Sequence, residues 1–245
     1  MRITSLGELH NISSQMNGCI FRGQKDCNWV LETSIERCCR RLGILNKRDY
    51  EWHCLREFQR HARSFLDHVP HHLDTLEWLA LMQHFGAPTR LLDFTDSFWI
   101  AVFFAYEDAE NDCAVWAVER GLLGNINSLR RSYPNEGRNF DFNRALRENI
   151  RMGDFETESV YFDVPFYTNE RLAIQKGTFL FTLNNNQSVS ELIKKNDKVL
   201  TKIIISRSLY PAIRKHMNDF NCNARVLFPG IDGYARYFKN HTFLL

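Results

Sequence analysis

The chain has 245 residues, 44% hydrophobic and 24% charged, with a formal net charge of +2. That composition suits a packed core rather than a disordered chain, and so small a net charge excludes a global field that recruits nucleic acid. Nineteen phenylalanines add to the core, and the seven cysteines, odd in number and without a Cys-x-x-Cys pair, read as reduced thiols of a cytoplasmic protein rather than a disulfide framework or zinc site. Met1 to Gln15 lacks the apolar run of a signal peptide. No stretch approaches the roughly 20 apolar residues of a membrane span, so no membrane partner is expected.

In chain order, Cys19 to Phe21 reads as the centre of a short strand ending at Arg22-Gly23, where glycine allows a turn or a close backbone approach. Thr33-Ser34 opens a helix through Arg41. A second helix is predicted from Arg48 to Leu66, where Trp52, Leu55, Phe58, Ala62 and Phe65 recur at spacings of three and four. A third runs from Leu73 to Phe85, capped by Asp74 or Thr75 and ended by Gly86-Ala87-Pro88.

Thr89 to Asp93 is read as a connecting segment, Phe98 to Glu107 as a buried helix and Ala114 to Val118 as a central strand. Leu122 to Asp163 is polar and rich in breakers, with a helix at Phe142 to Asn149 and the character of an active-site cover. Thr178 to Leu183 and Lys202 to Ser206 are predicted strands, Leu209 to Met217 a helix, and Arg225 to Phe228 and Tyr237 to Leu245 further strand. Helices early and strands late give an α+β fold, a helical N-terminal half packed on a mixed or split β-sheet, in one domain over residues 1–245.

Charged residues embedded in apolar surroundings mark the candidate site. Arg22, after the first strand, carries a forked donor array suited to phosphate or carboxylate; the competing reading is an internal salt bridge, to Asp93 for example. The run His84-Phe85-Gly86-Ala87-Pro88-Thr89-Arg90-Leu91-Leu92-Asp93-Phe94-Thr95 interleaves charges with leucines and phenylalanines. It describes a semi-buried turn in which unpaired charges would cost several kcal/mol. A fold-defining ion-pair network competes with a functional site there. Arg171 with Gln175-Lys176-Gly177, and Phe228-Pro229-Gly230-Ile231-Asp232-Gly233, form two later clusters; Asp232 serves either as a presented carboxylate or as turn chemistry alone.

Together Phe21-Arg22-Gly23, Trp29 with Leu31 and Ser34, Glu57 with Phe58, the run from His84 to Thr95, and Ala101 through Phe104-Ala105 resemble the FRG domain family. That family is named for its aromatic-Arg-Gly motif and occurs widely in bacteria and their mobile elements. The clusters at Arg171, Gln175 to Phe179 and Phe228 to Gly233 resemble its later motifs, so the resemblance spans about residues 15 to 238, with Phe94 where the family often has tryptophan. More loosely, Phe21-Arg22-Gly23 resembles the first motif of arginine-type ADP-ribosyltransferases, whose arginine meets the phosphates of NAD.

That resemblance implies an ADP-ribosyltransferase-like fold and NAD as substrate. It also implies Thr89 or Thr95 in the middle hydroxyl role, and Gln175 or Asp232 in the late one. The chain departs from the pattern in lacking a Ser-Thr-Ser run, and its Glu156-Thr157-Glu158 falls in the uncertain polar stretch. The catalytic set expected is Arg22, His84, Arg90, Asp93 and Gln175. The binding set is Phe21, Gly23, Thr89, Phe94, Thr95 and Arg171, with Phe94 or Tyr161 stacking on nicotinamide and no resident metal. The ligand is a nucleotide or dinucleotide, the acceptor a protein or nucleic acid. Association with mobile elements implies defence or toxin biology with an unidentified regulator.

Two other readings stand beside this one. One is a metal-dependent nuclease or phosphoesterase through His84, Asp93 and Asp232, although no strong ligand spacing such as HExxH is present. The other is a non-catalytic module that binds nucleotide through Arg22 and Arg90. The basic stretch Arg37 to Lys47 reads as a solvated helix face that can add a nucleic-acid contact.

Overall fold

The structure is a computed structural model. It describes residues 1–124, 141–153, 157–166, 170–195 and 200–240. In chain order the strands are β1 (Arg2–Ile3), β2 (Cys19–Gln24), β3 (Leu92–Thr95), β4 (Cys113–Glu119), β5 (Val160–Asp163), β6 (Gly177–Thr182) and β7 (Leu200–Ile205). The first helices are α1 (Leu6–Gln15), α2 (Ser34–Leu42), α3 (Lys47–His61), α4 (Thr75–His84) and α5 (Phe98–Tyr106). They are followed by α6 (Phe142–Met152), α7 (Glu170–Ile174), α8 (Val189–Lys194), α9 (Tyr210–Asp219), α10 (Ala224–Leu227) and α11 (Ile231–Asn240). No helix among the described residues is long and apolar enough to cross a membrane, and all seven cysteines are free.

The fold is α+β. One mixed sheet runs in the order β1-β7-β4-β2-β3-β6-β5. β1 lies parallel to β7 and the other pairs are antiparallel. β2 pairs with β4 along its whole length, from Cys19 opposite Glu119 to Gln24 opposite Ala114. β3 pairs fully with β6. Between β2 and β3, however, the ladder holds only at Phe21 opposite Thr95. The sheet therefore parts down its middle into the halves β1-β7-β4-β2 and β3-β6-β5.

Strand alternation sorts the core by face. Phe21, Val115 and Ala117 meet α1, α5 and α9 in one cluster, while Phe179 and Phe181 meet α3, α4 and α6 in a second. The pairs Phe21–Thr95 and Asp93–Phe179 put both clusters on the same face. Ile20, Phe94, Trp116 and Leu180 build the third cluster with α8 on the other face.

Local chemistry explains most element ends. Thr33 and Glu36 form a reciprocal capping box on α2, and Gly43 closes that helix in the left-handed region. Ser97 caps α5 by accepting from the Ile100 N–H. Neither residue expected to cap α4 does so with its side chain; instead the Leu76 N–H donates to Asn143 Oδ1 on α6, a cap supplied from a distant helix.

Several expectations need correction. β2 continues through Gly23 to Gln24, and the expected connecting segment from Thr89 to Asp93 ends inside β3. Gly23 is needed for a close approach: a Cβ there would lie 2.1 Å from the Ala101 carbonyl oxygen and 2.5 Å from the Ala105 nitrogen of α5. The strand expected at Arg225 to Phe228 is replaced by helix α10. The part of the Tyr237 to Leu245 strand up to Asn240 belongs to helix α11, while residues 241–245 lie outside the described residues. Asn223 caps α10, and Tyr234, Tyr237 and Phe238 recur at helical spacing. Strands are not confined to the last third, because β2, β3 and β4 all come from the first half of the chain. The cover expected over Leu122 to Asp163 contains α6 and β5, while its residues 125–140 and 154–156, including Glu156, lie outside the described residues.

Candidate functional site

A cleft of about 1290 Å³ opens where β2 and β3 part. β2 contributes Phe21, Arg22, Gly23 and Gln24; β3 contributes Asp93, Phe94 and Thr95. α4 forms one wall with Asp74 at its start and Glu77, Ala80, Leu81 and His84 at spacings of three and four. α7 and the turn after it supply Arg171, Leu172 and Gln175, with Gly177 and Phe179 of β6 beyond them. Trp29, Val30 and the α2 side chains Arg37 and Arg40 stand on the far side.

Arg22 occupies the parting itself. By alternation its side chain leaves the sheet face opposite to that of Phe21, yet both line the same cleft because the ladder beside Arg22 is open. Its Nη1 donates to the Asp93 carbonyl oxygen at 2.6 Å, and the same nitrogen lies 3.6 Å from Asp93 Oδ2. Its buried Nε has no hydrogen-bond partner. Burial pushes the guanidinium pKa down, and the Asp93 charge opposes that shift. The Arg22 side chain is 19% exposed against 58% for Asp93, so the carboxylate faces solvent and the guanidinium is held underneath. Gln83 orients Asp93 by donating from Nε2 to Oδ2 at 3.0 Å, and its Oε1 accepts from Thr89 Oγ1.

A second guanidinium, that of Arg171, shares this acidic neighbour. Burial lowers its pKa most, with Asp93 opposing the shift. His84 is likewise pushed below the usual imidazole range, first by burial and then by the Arg171 charge. The inner cleft thus brings two partly buried guanidiniums and an imidazole beside the exposed Asp93 carboxylate, with Glu77 and Asp74 toward the other end of the α4 wall. The two guanidinium forks suit an anion larger than a carboxylate. Farther out, Arg40 is matched bidentately by Glu32 and Lys25 by Asp108.

Arg90 is placed differently. Its side chain is 6% exposed, and the Glu51 partner on α3 is fully buried. Nε and Nη2 donate to Glu51 Oε2 at 2.9 and 2.7 Å, Nη1 donates to Asn149 Oδ1 and the Thr182 carbonyl, and Nη2 also reaches Asn185 Oδ1. It does not line the cleft. The ion-pair network that competed with a functional site in this run is what the structure contains at Arg90, tying α3, α6 and the end of β6 together. Thr89 is fully buried beside it, bonded to Ser34 and Gln83, and also off the cleft.

The remaining candidates divide the same way. Thr95 lines the cleft, but its hydroxyl donates to the Gln175 carbonyl at 2.7 Å. Gln175 lines it too, while its amide donates to the Leu227 carbonyl at 2.8 Å. Phe94 is a cleft aromatic, whereas Tyr161 is buried in the core beneath α3 and α4. Asp232 is exposed in the first turn of α11, outside the cleft lining. Among the described residues no group of three or more His, Cys, Asp and Glu is placed to hold a metal ion.

Sequence reasoning missed Glu77, Gln83 and Asp74. The spacing of Asp74, Glu77, Leu81 and His84 was the available signal, since it places polar groups on the face of α4 beside the expected site.

The family model of the FRG domain matches residues 17–113, so the chain carries an FRG domain over that stretch. The match covers β2, α4 and β3, and with them Arg22, His84 and Asp93. Arg171, Gln175 and the Phe228 to Gly233 cluster lie beyond it. No curated protein and no solved structure matches the chain.

Proposed function

We propose that the cleft binds a nucleotide, NAD in particular, and that the chain consumes NAD as an ADP-ribosyltransferase or NAD glycohydrolase. The observation that carries this reading is the position of Arg22: a buried guanidinium in the parting between β2 and β3, facing a cavity large enough for a dinucleotide, with Nε unpartnered. Arg22 and Arg171 hold the pyrophosphate, and Phe94 offers a ring for nicotinamide. When the C1′–N glycosidic bond breaks, its electron pair leaves with nicotinamide. The Asp93 carboxylate stabilises the oxocarbenium-like ribose until water, or an acceptor side chain or nucleotide, adds to C1′. Arg90 and Thr89 take no part, because both are buried away from the cleft. The resemblance to a family common on mobile elements is what points such an enzyme toward bacterial defence or toxin biology.

Incubating the protein with NAD and measuring released nicotinamide tests the proposal; release by the wild type that is lost in Asp93→Asn supports it, and no release from the wild type rejects it as an enzyme. One observation favours a second reading, a nucleotide-binding module without turnover: the Gln175 amide is turned to the Leu227 carbonyl rather than to the cleft. Saturable binding of NAD with no product would select that reading.

A further inference from the structure

The cluster Phe228-Pro229-Gly230-Ile231-Asp232-Gly233 has no part in the function proposed above, and Phe228 does not line the cleft. Two guanidiniums nevertheless lie over its ring: Arg171 with Cζ 4.7 Å from the centroid and Arg236 with Cζ 4.3 Å from it. No hydrogen bond or ion pair engages the Arg171 side chain among the described residues, so the ring is its principal contact. Arg236 is anchored independently, bonded to the buried Glu107 and to Asp108 at the end of α5.

The backbone around the ring is fixed as well. Gly230 has φ +99°, and a Cβ on Gly233 would lie 1.7 Å from the Phe228 carbonyl oxygen, so the chain folds back on Phe228 as only glycine permits. The preceding residue, Leu227, accepts the Gln175 amide at 2.8 Å. One short segment therefore holds both ends of the α7 turn that faces the cleft. Phe228 also packs perpendicular to the ring of Phe104, 5.9 Å between centroids, and Phe104 does line the cleft.

We propose that Phe228 is a positioning residue: its ring, backed by Arg236, fixes the Arg171 guanidinium so that it and Arg22 engage one phosphate-bearing ligand together. This rests on the reading of the cleft as an anion site. It assigns a role to the segment beyond the FRG match, which completes a site whose first arginine lies within the match. A guanidinium held over an aromatic ring keeps its charge and its in-plane donors, because the ring takes up only its face. The ring can thus pre-set the arginine without adding a second carboxylate to Asp93.

Calorimetric titration with inorganic pyrophosphate tests the role. Phe228→Leu keeps the apolar volume and removes the π face, and it should weaken binding roughly tenfold. Phe228→Tyr should restore wild-type affinity. Arg171→Ala should weaken binding at least as much, and Phe228→Leu added to it should cost nothing further. Additive losses, or full affinity in Phe228→Leu, would overturn the proposal.

A second measurement does not need a ligand. In the folded protein with labelled arginine, the Arg171 side-chain resonance, identified by its absence in Arg171→Lys, should be ring-current shifted and should lose that shift in Phe228→Leu. An unshifted resonance rejects the clasp itself. A shifted resonance in a protein that does not bind pyrophosphate rejects the anion site and, with it, the positioning role.

Discussion

Arg22 Nη1 donates to the main-chain carbonyl of Asp93 at 2.6 Å, at the point where β2 and β3 cease to pair. The guanidinium stands in for a strand partner on one side and faces the cleft on the other. Arg22→Ala should therefore abolish ligand binding and also destabilise the fold by about 1.5–3 kcal/mol, the usual range for a hydrogen bond to a charged group. Arg22→Lys should recover part of the stability but little of the binding, since an ammonium lacks the planar fork. Denaturant unfolding and a nucleotide titration on the same variants separate the two effects.

Asp93 acts in the opposite sense on binding and on turnover. Its carboxylate partly neutralises Arg22 and Arg171, so Asp93→Asn should tighten pyrophosphate binding by about three- to fivefold, a modest gain because the group is exposed. The same variant should lose nicotinamide release. Equal or weaker pyrophosphate binding in Asp93→Asn would show that the carboxylate does not compete with the ligand.

Arg90 and Glu51 form a test of structure alone. Glu51→Ala leaves a buried guanidinium without its counter-ion and should cost about 3–5 kcal/mol in denaturant unfolding. Where the variant remains folded, its affinity for nucleotide should be unchanged. A selective loss of binding would return Arg90 to the site.

Gly23→Ala should fail through overlap rather than chemistry. The added methyl meets backbone atoms of α5 at 2.1 and 2.5 Å, which cannot rotate away. Overpacking of this kind costs about 1–3 kcal/mol or more. Thermal unfolding should show the loss, and α5 should separate from β2 in the variant's structure.

His84 gives the cleft a pH signature. Its folded pKa lies below the ordinary 6.5, so between those two values the unfolded chain binds more protons and stability falls as pH falls. An anion bound beside it raises that pKa again, and binding then takes up protons and strengthens as pH falls through the bound-state value. Calorimetry in buffers of different ionisation enthalpy should register this uptake, and His84→Asn should remove it. Proton release on binding would contradict the placement of the ligand.

Much of the fold was legible because helix signals are local. The Thr33 and Glu36 pattern, the apolar run from Phe98 and the stop at Gly86 each act within a few residues. The parting of the sheet was not, since it depends on whether two strands about 70 residues apart keep their register past Phe21 and Thr95. The run from His84 to Thr95 shows the same limit inside one motif. Its interleaved leucines announced buried charge, but nothing local could say that Arg90 would meet Glu51 on α3 while Asp93 would face solvent. α10 and α11 were misread because short apolar runs with β-branched or aromatic residues fit either period; the Asn223 cap marks α10, and Tyr234, Tyr237 and Phe238 at helical spacing mark α11.

Titrating NAD into the wild type and Arg22→Ala by isothermal calorimetry addresses the cleft most directly. One saturable site in the wild type, lost in an Arg22→Ala protein that still unfolds cooperatively, is the expected result. No heat of binding in the wild type, or an undiminished affinity in the variant, would contradict a dinucleotide site built on Arg22.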